Sequence, residues 1–219
     1  MPATPRVAGR RSATLRDMSQ PDASTPAPDE ADEALMLRYA AGDAGAFDVL
    51  YARHKGALYR FILRQCRDAG RAEELFQDVW MKAIGARERY RPEAKFRTWL
   101  FTIAHNALMD HFRKQSHSDA PAIVDEDGES AVVHLPAART SEPLVMVASK
   151  KTGEAILRAL EQLPAAQREV FLLYQEGEMS VEEIARTTGV GFEAAKSRLR
   201  YAVAKLRELL QAEHGREVA

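Results

Sequence analysis

The chain has 219 residues, 46% of them apolar and 29% charged, with a formal net charge of −1, values that fit two small globular domains or one medium one. No run of about 18 or more apolar residues is present, which excludes a helical membrane span, and MPATPRVAGRRSATLRD at the start lacks the apolar core of a secretory signal. A single cysteine, Cys66, excludes an internal disulfide and suits a reducing compartment.

Residues 1–30 are rich in Pro, Ala, Ser and Thr and nearly free of large apolar side chains. They cannot bury enough surface to offset their ordering entropy, so a disordered extension is expected, with Met18 as a candidate start. From 31 to 114 apolar residues recur at helical spacing, as in Phe47, Leu50, Tyr51, His54, Leu58 and Phe61. Helices are predicted over 32–41, 44–67, 71–86 and 96–114. They are broken at Gly42-Asp43, at Asp68-Ala69-Gly70 and between Glu88 and Ala94. Residues 115–149 hold three prolines and no period, and read as a flexible acidic linker. Helices resume over 150–162, 165–176 (with Pro164 in its first turn), 181–188 and 192–212, leaving 213–219 as a tail. No strand alternation appears. The expected fold is all-α, with two small helical domains, 31–114 and 150–212, joined by the linker.

Charge is distributed unevenly. Arg87 to Lys114 carries seven bases against Glu88, Glu93 and Asp110; His117 to Ser149 carries six acids against Arg139; Glu193 to Arg207 carries five bases against one acid. Two basic segments therefore flank an acidic one, although helical surfaces are often charged and this alone decides nothing.

The sharpest local signal begins at Ser180. Ser180 and Glu183 have the spacing of a capping box, Val181, Ile184 and Ala185 supply a buried stripe, and Gly189 permits a left-handed turn. A long basic helix follows, which is the pattern of a helix-turn-helix. On that second helix Ala195, Leu199, Ala202, Leu206 and Leu209 share one side and face the core. Opposite lie Glu193, Ser197, Arg200 and Tyr201, with Lys196 and Arg207 alongside. Early recognition-helix residues enter the major groove, so Arg200 is placed to meet a guanine edge, and Ser197 a base or a phosphate. Glu193 fits either stabilisation of the helix N-terminus or acceptance from a cytosine amino group. Arg198, nearer the core edge, is expected in an ion pair with an acid of the preceding helix such as Glu183.

A second basic segment runs from Phe96 to Lys114, interleaving aromatic residues with Arg97, Arg113 and Lys114, after the loop Arg87-Glu-Arg-Tyr-Arg-Pro-Glu-Ala-Lys95. Such surfaces suit unstacked single-stranded bases. Phe96, Trp99, Leu100 and Ile103 also fit a plain core stripe, and Trp99 is assigned to the core.

Four ordered motifs then resemble one family. They are Gly42-Asp-Ala-Gly-Ala-Phe47, Ala72-Glu-Glu-Leu-Phe-Gln-Asp-Val-Trp80, Phe96 through Asn106 (Phe-x-x-Trp-Leu-x-x-Ile-Ala-x-Asn), and Leu163 through Phe171 (Leu-Pro-x-x-x-Arg-x-x-Phe). From Asp32 to Leu210 the chain is similar to the extracytoplasmic-function sigma factors, the minimal two-domain initiation subunits of bacterial RNA polymerase. The resemblance implies that 31–114 is sigma region 2 and 150–212 region 4. It implies core polymerase contacts at Glu74, Gln77 and Asp78. The loop from Tyr90 to Lys95, Arg97 and Asn106 would engage the minus-ten element, and Arg113 and Lys114 would lie near phosphates. Glu193, Lys196, Ser197, Arg200, Tyr201 and Arg207 would meet the minus-thirty-five element. The linker would thread the polymerase cleft. Core RNA polymerase, promoter DNA and an anti-sigma factor are the implied partners, in the cytoplasm, with no cofactor, metal or small-molecule substrate.

Departures from the family pattern fall on the reading face. Glu193 and Tyr201 replace its usual residues, so the usual minus-thirty-five sequence is not assumed; His105 and Arg71 are further departures. An ordinary helix-turn-helix regulator would explain 150–212 but leaves the acidic and aromatic-basic helices without purpose. An enzyme fits worse: His105 and His111 lack i, i+4 metal-ligand spacing, Cys66 has no Cys-x-x-Cys partner, and no Gly-rich phosphate loop is present.

Overall fold

The computed structural model describes residues 30–118 and 150–218. Eight α-helices make up the regular structure of these residues: α1 (Asp32–Ala40), α2 (Ala44–Cys66), α3 (Ala69–Gly85), α4 (Phe96–Ser118), α5 (Lys150–Glu161), α6 (Ala165–Gln175), α7 (Val181–Thr188) and α8 (Phe192–Val218). A short 3-10 turn, Arg87–Arg89, leads from α3 toward α4 and was not foreseen. The expectations for residues 1–29, Met18 included, and for 119–149 lie outside the described residues. Glu30 does not belong to a disordered extension: its carboxylate pairs with Arg38 at 2.7 Å and its carbonyl accepts from Arg53.

The helix breaks are built by side-chain caps. Asp43 accepts from the amides of Gly45 and Ala46 at the start of α2, while its other oxygen holds Arg38 of α1. Gly42, at φ +104°, makes the left-handed bend between the two helices. Asp68 accepts from Arg71 N at 2.7 Å and starts α3. The start of α4 is capped from afar, because Phe96 N donates to the Glu33 carboxylate of α1 at 2.7 Å. Two helices outrun their predicted ends. Helix α4 reaches Ser118 because nothing before Pro121 breaks it. Helix α8 reaches Val218, so 213–218 continue the helix instead of forming a tail, helped by Arg158 of α5 donating to Glu213.

Helices α1 to α4 pack around Leu35, Leu50, Leu58, Phe61, Phe96 and Phe101, all essentially inaccessible. Helices α5 to α8 build a second core from Leu160, Leu163, Leu172, Leu173, Ile184 and Leu206. The two domains touch, α2 lying against α5 and α6, and α4 against α7.

Asp32 ties α1 to α2, accepting from Arg53 and meeting His54 Nε2, both at 2.6 Å. Burial alone would raise its pKa, but the hydrogen bonds and charges of His54 and Arg53 outweigh it and hold the carboxyl below its ordinary 3.8. The unfolded chain therefore binds the proton more readily than the folded one. The stabilisation is complete above the ordinary value and is lost as pH falls through the folded pKa. Asp32→Asn is accordingly expected to lower the thermal midpoint near neutral pH and to flatten its decline below about pH 4. Melting curves of both proteins across the acid range check this; parallel acid limbs would refute it.

Candidate nucleic-acid interface

In the second domain the sequence specifies the pair α7 and α8 closely. Ser180 Oγ accepts from Glu183 N at 3.2 Å and the Glu183 carboxylate accepts from Ser180 N at 2.8 Å, closing the capping box. Gly189 takes φ +71° at the C-cap of α7, and α8 begins three residues later. Ala195, Ala202 and Leu206 are buried, with Leu199 and Leu209 packed beside them, so the core stripe is the expected one. The opposite face carries exposed Glu193, Lys196, Arg200, Tyr201 and Arg207, with Ser197 half-buried. The Arg200 guanidinium lies over the Tyr201 ring, 5.2 Å from its centroid, and Lys196 reaches both Glu193 and the exposed Phe192 ring. Such stacking limits the freedom of a long side chain.

Glu183 does not pair with Arg198. Its carboxylate accepts from Thr98 Oγ1 of the first domain at 2.7 Å as well as from Ser180 N. Burial would raise its pKa, but the Ser180 amide, the Thr98 and Ser180 hydroxyls and the charge of Lys95 hold it below the ordinary value. The capping geometry turns the acid toward α4 and away from α8.

In the first domain α4 buries Phe96, Leu100, Phe101, Ala104, Ala107 and Leu108 and leaves Asn106, Arg113 and Lys114 exposed. Lys95 is exposed at its start, and Arg113 pairs with Asp110 at 2.9 Å. Tyr90 is placed differently from the expectation. It is 3% exposed, with its ring edge-on to Trp99 and Phe96, so it anchors the loop from below and is not presented to a base. Burial, with the charges of Glu33 and Asp32, pushes its phenol up to about 12. Trp99 packs in the same cluster, as expected. Arg97 is half-buried and already engaged: it donates to the Glu176 carbonyl at 2.6 and 3.1 Å and pairs with Glu178 at 2.9 Å.

Helix α3 exposes Glu74, Gln77 and Asp78 along one side. Its other side locks onto α2 through aromatic contacts, Trp80 with Phe47 and Tyr51, and Phe76 with Tyr59. The acidic ridge thus stands on a stiff support.

The family pattern for sigma-70 region 2 matches residues 50–118, and that for sigma-70 region 4 matches residues 153–206. The RNA polymerase sigma factor CarQ of Myxococcus xanthus is 35% identical over 175 residues, covering 80% of this chain and 95% of CarQ. The chain belongs to the extracytoplasmic-function sigma factors. The ECF RNA polymerase sigma factor SigM of Mycobacterium tuberculosis is 32% identical over 183 residues, 83% of this chain and 86% of SigM. Two solved structures share the fold. One is CnrH in complex with the cytosolic domain of CnrY, with TM-score 0.57 and 26% identity over 84% of this chain and 99% of that one. The other is RpoE in complex with the anti-sigma factor NepR from Bartonella quintana, with TM-score 0.55 and 27% identity over 75% and 96%. This sigma factor is thus a non-enzymatic initiation subunit that binds core RNA polymerase and directs it to promoter DNA. Among its described residues no helix is long and apolar enough to cross a membrane.

Sequence reasoning missed the contacts between the two domains. Thr98, Thr102 and His105 of α4 meet Glu183, Thr187 and Glu169, and no pattern within α4 announces partners more than sixty residues away.

The Tyr90 hydroxyl has no hydrogen-bond partner among the described residues. Tyr90→Phe is therefore expected to leave stability within about 1 kcal/mol of wild type, whereas Tyr90→Ala should cost about 3–5 kcal/mol. Urea unfolding of both variants checks this. Loss of promoter melting by a stable Tyr90→Phe protein would instead put the hydroxyl at the DNA.

Proposed function

We propose that residues 31–114 are the part of this sigma factor that grips core polymerase and opens the minus-ten element, and that 150–212 read the minus-thirty-five element. The observation that carries this reading is the sidedness of α8: Ala195, Ala202 and Leu206 are buried while Glu193, Lys196, Arg200, Tyr201 and Arg207 stand exposed together. Arg200, stacked on Tyr201, makes the base contact; Ser197 supports it, and Lys196 and Arg207 touch phosphates. On α4 and its approach, Lys95, Asn106, Arg113 and Lys114 handle the melted strand, joined by Arg97 once it leaves its partners. Holding extruded bases costs a few kcal/mol, which base and phosphate contacts must offset. Tyr90 supports this loop from the core.

Glu74, Gln77 and Asp78 form the polymerase-facing ridge. An anti-sigma factor is a fitting regulator, since the solved RpoE structure holds the anti-sigma factor NepR. The work is cytoplasmic, where polymerase and promoters are, and serves a particular regulon.

Two measurements test these assignments. Reversing the charge at Glu74 and Asp78 together should weaken core binding in a salt-matched pull-down while the fold is retained, because exposed charges act weakly one at a time. Unchanged affinity removes the ridge assignment. Within holoenzyme, Arg200→Ala should cost about 1–3 kcal/mol at the cognate upstream element and flatten discrimination at one base position. Lys196→Ala should weaken all sequences alike and reduce the salt dependence by roughly one phosphate equivalent. A uniform loss for Arg200→Ala would reassign it to the backbone.

A further inference from the structure

We infer that Phe192, the first residue of α8, reads a thymine of the upstream element through that base's C5-methyl group. The inference rests on the assignment of α8 to the minus-thirty-five element and adds to it a residue that selects a base without hydrogen bonding.

Phe192 opens α8 and stands 40% exposed, while Val190, two residues earlier, packs against the core of the second domain. The turn divides them in this way. Gly189 ends α7 at φ +71°, and Val190 N donates back to the Ala185 carbonyl at 3.1 Å, a helix ending in which the residue after the glycine folds against the helix it leaves. The interior is closed without Phe192, since Ile184, Ala195 and Ala202 are already inaccessible. Exposure alone decides nothing, because scattered apolar residues occur on every protein surface.

Position decides. Residues at the start of a recognition helix meet base edges in the major groove. Two cations stand near the ring. Lys196 Nζ, one turn along α8, lies 5.7 Å from its centroid, and exposed Arg186 of α7 lines the same open groove as Phe192, together with Glu182, Ala185 and Val190. The major groove is about 12 Å wide, so a ring this close to an ammonium resting on a phosphate lies within the span of that groove.

What a phenyl ring can recognise there is limited. Adenine, guanine and cytosine offer hydrogen-bonding groups on their major-groove edges, and covering one of these with a ring leaves it unpaired, which is unfavourable. Thymine alone adds a methyl group. Burying that methyl against the ring is worth about fourfold in affinity. Glu193, the next residue, can only accept a hydrogen bond, so the two adjacent side chains demand different bases.

Deoxyuridine, which is thymidine without the methyl group, tests this with the protein unaltered. In a promoter duplex that the full-length factor binds as holoenzyme, each thymine of the upstream element, on either strand, is replaced in turn, and Kd is measured for wild type and Phe192→Ala. Wild type is expected to lose about fourfold at one position. Phe192→Ala should bind the thymine duplex about fourfold more weakly than wild type and lose nothing further with deoxyuridine at that position. Phe192→Leu, still apolar, should keep part of the preference. The inference is overturned if wild type discriminates at no position, or if Phe192→Ala retains the whole of the discrimination. A scrambled upstream element separates the two ideas. If scrambling weakens wild-type binding while deoxyuridine does not, α8 still reads the element and only the Phe192 contact falls. If scrambling changes nothing, the assignment of α8 falls and the Phe192 contact with it.

Discussion

Helix α4 must satisfy several neighbours with one periodicity. Its core stripe, Phe96, Leu100, Ala104, Ala107 and Leu108, is fixed by packing on α2 and α3, and everything else about the helix follows from that rotation. With those residues inward, Thr98, Thr102 and His105 turn toward the second domain, and Asn106, Arg113 and Lys114 stay exposed. The rotation is pinned at its start by Glu33, whose carboxylate receives Phe96 N from across the domain. Slipping the stripe by one residue would turn each of these side chains by about 100°.

The two cores and the seam between them use different physics. Inside each domain the contacts are apolar and close, and truncating a buried leucine there costs on the order of 2–5 kcal/mol. Between the domains charged and hydroxyl groups meet, Glu176 with Arg60 and Arg64, and Thr98 with Glu183. A buried carboxylate such as Glu176 loses much of its attraction to Arg60 and Arg64 through desolvation of all three groups.

The second domain shows the same economy at smaller scale. Glu183 closes the capping box at the start of α7 and also accepts from Thr98 of α4. The residue that fixes the start of α7 locally therefore also contacts the first domain. Arg200 and Tyr201, stacked on each other, stand exposed on the side of α8 away from its core stripe.

Much of this was legible in the sequence because it is local. Helix periodicity depends on residues three and four apart, a capping box on residues three apart, and a left-handed turn on a glycine. The eight helices and the buried stripe of α8 were accordingly legible in the sequence, whereas the α3 residues Glu74, Gln77 and Asp78 were singled out only by the family resemblance. Helix ends were less so: α4 and α8 ran on because no breaker stopped them. What depended on distant partners was not written locally. Tyr90 read as a surface aromatic in a basic loop, yet Trp99 and Phe96 draw it into the core, since ring burial outweighs the polarity of its neighbours. Glu183 reads as a mate for Arg198 on an isolated helix pair, and only the approach of α4 supplies Thr98 instead. Nothing in the sequence around Glu176 singles it out. Its burial between Arg60 and Arg64 is set by how two finished domains meet, and that arrangement belongs to the tertiary structure because no single helix contains both sides of it.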